Sequence, residues 1–131
     1  MNKRFLISAA LFGGLAVIAG AMLAHSLKPL MPDAAREIYE TAVRYQFYHV
    51  FALLTCGILA ENFPGRSITR AGTFFIFGIL LFSGSLYIIS AMITNGIRVP
   101  VLIGILTPAG GFCFITGWAF LAASFRNKRT S

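Results

Sequence analysis

Two histidines, His25 and His49, are the side chains in this chain best suited to chemistry. An imidazole ligates haem iron, copper or zinc, or passes a proton. Further polar groups sit in otherwise apolar runs. They are Gln46, three residues before His49; Ser83, Ser85, Tyr87 and Ser90 in "FSGSLYIIS"; and Thr107 just before Pro108. A metal site asks for three or four ligands, and no HxxxH, CxxC or Glu-x-x-His spacing occurs. Cys56 and Cys113 each stand alone in an apolar run and read as small packing residues. No nucleophile–base pair, glycine-rich phosphate loop or paired carboxylate falls inside such a run. The expectation is a protein that is not an enzyme, with no metal site assigned and its cofactors unknown.

The elements that must position these groups follow from composition. The chain has 131 residues, 57% hydrophobic and 11% charged, far below the roughly 25% charged of soluble domains. Charges cluster between long uncharged runs, each near the ~20 residues that cross a bilayer. Four spans are expected, at about 5–27, 45–61, 71–94 and 101–125, in one domain covering 1–131. An amphipathic interfacial segment, about 34–44, leads into the second. The fold class is therefore an all-α membrane protein, a four-transmembrane-helix antiparallel bundle with short connections. The basic start and the run from Phe5 to Ala24 read as a retained first helix rather than a cleaved signal.

A net charge of +7 would suggest nucleic acid in a soluble protein. Here the basic residues flank the spans, so the partner is the lipid bilayer and nucleic acid is excluded. With the N-terminus inside, that side carries Lys3, Arg4, Arg66, Arg70, Arg126, Lys128 and Arg129. The other side carries Lys28, Arg36, Arg44 and Arg98. The bias places both termini in the cytoplasm of a multi-pass protein of the cell's inner membrane.

Depth then brings His25, Gln46, His49, Ser83, Ser85, Tyr87 and Thr107 together in the outer half. This cluster reads either as a polar pocket or as interhelical hydrogen bonding. Asp33 is a candidate N-cap, and Glu40 and Arg44 form an i, i+4 pair. Tyr39 and Tyr48 are candidate interface anchors, and Trp118 a belt aromatic. Ala16, Gly20 and Ala24 make a small-residue stripe for close packing. Pro108 loosens the fourth helix and frees a carbonyl for nearby hydroxyls.

"GAMLAHSL" at 20–27, "YETAVRYQFYHVFALL" at 39–54, "AGTFFIFGILLFSGSLY" at 71–87 and "TPAGGFCFITGW" at 107–118 resemble the domain-of-unknown-function family 423, which is similar to transmembrane protein 256. The resemblance covers nearly the whole chain. Where the family usually reads Gly-Ala-Phe-Gly-Ala-His, Met22 and Leu23 replace the Phe and Gly. It implies a small four-span inner-membrane protein without an assigned activity, and supplies no catalytic residues. Three functions compete. The first is an accessory subunit or assembly protein of a membrane complex, with a membrane-protein partner or as a homo-oligomer. The second is a small-solute, lipid or proton binding or transport module using the polar cluster. The third is a histidine-ligated haem or metal protein.

Overall fold

The computed structural model describes residues 1–126, so Lys128 and Arg129 of the basic tail lie outside the described residues. The described residues are all-helical and form four rods. The first is α1, Lys3–Met22, extended by a π turn at Leu23–Leu27 and a 3-10 turn at Lys28–Leu30. The second is α2, Asp33–Leu59. The third is α3, Arg66–Gly78, continued through a π turn at Ile79–Ser83 into α4, Gly84–Thr94. The fourth is α5, Val101–Ser124. Three rods, Lys3–Leu30, Arg66–Thr94 and Val101–Ser124, are long and apolar enough to cross a membrane.

The ends follow from local chemistry. Asn2 accepts from the backbone N–H of Arg4 and Phe5 and so caps α1. Asn95 and Gly96 close α4: the Gly96 N–H bonds the Ile93 carbonyl and the Ile97 N–H bonds that of Met92. This motif needs a left-handed residue, and Gly96 takes φ 68°. Asp33 does not cap α2. It is the first helical residue, and its carboxylate accepts from Arg36 Nη2 at 2.7 Å. Glu40 and Arg44 form no ion pair within the described residues.

A spacing of alternating three and four residues runs along the buried faces of α1, α2 and α5. On α1 it is Phe5, Ala9, Phe12, Ala16, Ala19 and Leu23; on α2 it is Ala35, Tyr39, Ala42, Gln46, His49, Leu53 and Cys56. On α5 it is Gly110, Phe114, Gly117, Leu121 and Ser124. A 3.5-residue repeat keeps one seam facing a neighbour in left-handed helix packing. The four-residue stripe drifts off this seam: Ala16 is buried, while Ala24 is exposed.

The third rod needs a correction to hold its seam. Ile68, Gly72, Phe75 and Ile79 face inward, and then Ser83, Leu86 and Ser90. The consecutive steps of four at Phe75, Ile79 and Ser83 mark where the π turn takes up an extra residue. Without it the inward positions after Ile79 would fall on Phe82 and Ile89. The turn therefore aims the serines at α2.

Contacts fix the relative depth of the rods. The Asn2 N–H bonds the Gly57 carbonyl, Gln46 meets Phe12, and Tyr39 meets Ala19. Ser83 meets Ala42, and Ser90 meets Ala35. Thus Ala35–Arg44 lies beside the apolar length of α1 and α4. It is the first part of one continuous 27-residue helix that leads on into the segment from Tyr45. Tyr39 is buried, with its hydroxyl on the Ala19 carbonyl at 2.8 Å, and is not an interface anchor.

Glycines form notches for phenylalanine rings. Phe5 fills the space over Gly72, Phe114 that over Gly78, and Phe75 that over Gly117. At Gly110 the neighbour is the Phe82 backbone itself. The helix runs unbroken through Pro108, and no hydroxyl among the described residues bonds the Gly104 carbonyl. A methyl at Gly110 would force α5 off the π turn, whereas one at Gly84 meets nothing within 4 Å. Overpacking costs about 1–3 kcal/mol. Gly110→Ala is expected to lower the unfolding midpoint in detergent, followed by circular dichroism, and Gly84→Ala to leave it unchanged.

Candidate functional site

The polar residues form a ladder along α2 rather than one outer pocket. At its top, Ser90 donates to the Ala35 carbonyl at 2.8 Å and Tyr39 to that of Ala19. Below, Ser83 donates to the Ala42 carbonyl at 2.8 Å. Next, the Tyr87 hydroxyl donates to Gln46 Oε1 at 2.8 Å, and Gln46 Nε2 donates to the Phe12 carbonyl at 2.7 Å. One glutamine thus joins α1, α2 and α4. Off this line, Ser85 donates to the Phe82 carbonyl at 2.9 Å and lies 2.6 Å from Thr107. Its single proton is used, so Thr107 donates.

His49 ends the ladder, sixteen residues into α2, roughly 24 Å along it at 1.5 Å per residue. It is 5% exposed. Nδ1 lies 2.7 Å from the Tyr45 carbonyl, and Nε2 accepts from the Trp118 indole N–H at 3.1 Å. The indole only donates and the carbonyl only accepts, so the neutral ring with its proton on Nδ1 satisfies both. The Phe114 ring stacks on the imidazole with centroids 3.4 Å apart and planes 7° apart. Phe75 and Tyr45 stand at 5.7 and 6.1 Å.

His25 does not join this cluster. It is exposed in the π turn that follows α1. Taking Tyr39 and Ala19 as one level, His25 lies six residues toward one end and His49 ten toward the other. Their axial separation is roughly 24 Å, so the two imidazoles do not ligate one iron or one metal ion. Among the described residues no group of three His, Cys, Asp or Glu gathers to hold a metal.

Two grooves open sideways. One, of about 660 Å³, lies between α2 and α5 beside Tyr45, Tyr48, His49, Phe82, Phe114 and Trp118. The other, of about 380 Å³, runs along α1 and α4 over Gln46 and Tyr87. Trp118 and Phe114 are the partners of His49 that sequence reasoning missed. A signal was present: Gly111, Phe114, Ile115 and Trp118 share one face of α5 at helical spacing.

Trp118 is the only tryptophan in the chain, so its emission reports on this site. His49→Leu removes the acceptor of the indole N–H and is expected to shift that emission to shorter wavelength, with a stability loss of about 1 kcal/mol. Ser83→Ala is expected to cost about 0.6 kcal/mol, the mean for such bonds in membranes, without moving the emission.

Residues 19–111 match the family described as protein of unknown function (DUF423). The chain is 38% identical over 123 residues to the UPF0382 membrane protein YwdK of Bacillus subtilis, covering 93% of this chain and 95% of the relative. It is 34% identical to a UPF0382 membrane protein of Haemophilus influenzae, covering 98% of each. It is also 34% identical to the UPF0382 inner membrane protein YgdD of Escherichia coli, covering 98% of this chain and 95% of that one. No solved structure matches. The hydrogen-bonded ladder, with long apolar rods around it, is thus the interior of a membrane protein, and the chain belongs to the DUF423 family.

Proposed function

We propose that the chain crosses the inner membrane four times as an antiparallel bundle, with both termini in the cytoplasm. In this reading it serves as a non-enzymatic accessory or assembly subunit of a membrane complex. Fourfold crossing is supported by the depth of α2, whose residues pair with α1 and with the third rod from Asn2–Gly57 to Ser90–Ala35. Its composition falls short of a span because Gln46 and His49 on its inward face, satisfied by other helices, and the exposed Glu37, Glu40 and Arg44 interrupt the apolar run.

The observation that carries the accessory role is the use of the interior polar groups. Among the described residues the one buried side-chain polar atom without a partner is Arg36 Nε. Gln46, His49, Ser83, Ser85, Tyr87 and Ser90 are all spoken for. Side chains committed to holding helices together leave the outward surface to interact. That surface exposes large apolar side chains, among them Leu11, Val17, Leu102, Phe112 and Ile115.

A second reading, ligand binding, is favoured by the groove beside His49. Six aromatic side chains and the imidazole line it, and pockets of 300–1,000 Å³ suit drug-sized molecules. Native mass spectrometry of the protein extracted gently from its own membrane separates the two. A complex with another polypeptide is the expected result. A defined added mass below about 1 kDa would instead select the groove, and bare protein would count against both.

Topology has its own check. Cysteines at position 32 or 97 are expected to react with a membrane-impermeant maleimide in intact cells. Asn62→Cys is expected to react only after lysis. Labelling of Pro32→Cys and Asn62→Cys from one side would show that α2 does not cross.

A further inference from the structure

The outward faces of the four rods differ in kind. Between Phe5 and Ala24 α1 carries no charge, and α5 carries none between Val101 and Ser124. The third rod carries none beyond Arg70. Only α2 presents charges outward within its length: Glu37, Glu40 and Arg44 are exposed. They lie beside apolar neighbours, for Tyr39 is level with Ala19 and Ala42 with Ser83. Charged groups at such depth are costly, and they almost always face the interior of a helix bundle or an aqueous cavity and pair with one another.

The same face keeps the 3.5-residue repeat of a packed seam. Glu37, Thr41, Arg44, Tyr48, Phe51, Thr55 and Ile58 follow alternating steps of four and three. Tyr48, Phe51 and Ile58 are 54%, 61% and 49% exposed. Thr41 and Thr55 return their hydroxyls to the carbonyls of Glu37 and Phe51, at 2.9 and 2.8 Å. Their polar atoms are thereby satisfied, and their small side chains allow close approach of another helix.

The charges on this stripe complement themselves. Helix side chains lean toward the N-terminus, so Arg44 reaches toward the level of Glu40, one turn away. Within the chain the two make no ion pair. We propose that a second copy of this chain docks here, its α2 parallel across a twofold axis normal to the membrane. Each Arg44 then pairs with the partner's Glu40. A twofold interface repeats every contact, so one acid and one base per copy neutralise both. Thr41 and Thr55 lie at the crossing, and the partner's Phe51 closes the edge of the groove that Tyr48 and Phe51 share. The proposal rests on α2 crossing the membrane and names the partner of the bundle.

Oxidative cross-linking in native membranes tests it, in a chain whose Cys56 and Cys113 are replaced by alanine. Thr41→Cys and Thr55→Cys are each expected to give a band of twice the chain mass. Val17→Cys on α1 and Ile115→Cys on α5, both outward, are expected to give none. In the Thr55→Cys chain, Glu40→Arg or Arg44→Glu alone is expected to cut the band by about tenfold, the factor of one affinity decade, and the double exchange to restore it. No band at Thr41 and Thr55, a band only at Val17 or Ile115, a band containing a different protein, or indifference to the charge exchange would each overturn the dimer. If Pro32→Cys and Asn62→Cys label from opposite sides while the cross-link fails, only the dimer falls. If both label from one side, the four-span reading falls and the dimer with it.

Discussion

Every polar group placed in hydrocarbon must find its partner within the protein, because no water is there to serve it. In this chain the burden falls on α2, whose buried seam carries Tyr39, Gln46 and His49 where its neighbours carry mostly apolar residues. The other rods are arranged around that demand. Ala19 and Phe12 on α1 offer carbonyls to Tyr39 and Gln46, Tyr87 on the third rod a hydroxyl to Gln46, and Trp118 on α5 an indole to His49, while Ser83 and Ser90 donate to α2's own Ala42 and Ala35 carbonyls. Gln46 bonds two neighbouring helices at once, which fixes register in a way that apolar packing alone does not.

Meeting that demand requires departures from regular geometry. The π turn at Ile79–Ser83 takes up one residue so that Ser83 and Ser90 point at α2. Close beside it, α5 presents Gly110, where a side chain would strike the Phe82 backbone. The widened turn and the missing side chain belong together, since the fourth helix approaches where the third bulges. Larger rings set in glycine notches fill the rest of the core, as small residues do wherever membrane helices pack closely.

A histidine at membrane depth invites a reactive reading, but its surroundings decide. Both nitrogens of His49 are committed, one to the Tyr45 carbonyl and one to the Trp118 indole, and Phe114 covers a ring face. Such a residue locks α5 against α2 across a gap that backbone packing leaves open as a groove. Among the described residues Glu37, Glu40 and Arg44, on the outward side of α2, form no ion pair.

Composition alone established the helical membrane class, three of the rods, the extent of α5 and the identity of most buried polar groups, because charge-free runs of span length have few alternatives in water. Family resemblance was legible in the same motifs. Relative depth was not legible along α2: counting the span from Tyr45 put Gln46 and His49 near its outer end and about 34–44 at the interface, whereas the contacts set Tyr39 level with Ala19 and Gln46 level with Phe12. Hydropathy prices each side chain as if it met lipid, whereas the polar side of α2 meets carbonyls and hydroxyls of other helices. Nor did spacing within one helix reveal the π turn, the stranding of His25 at the end of α1, or the Trp118 partner of His49. Those depend on which residue of one helix lies level with which residue of another, and only the packed structure decides that.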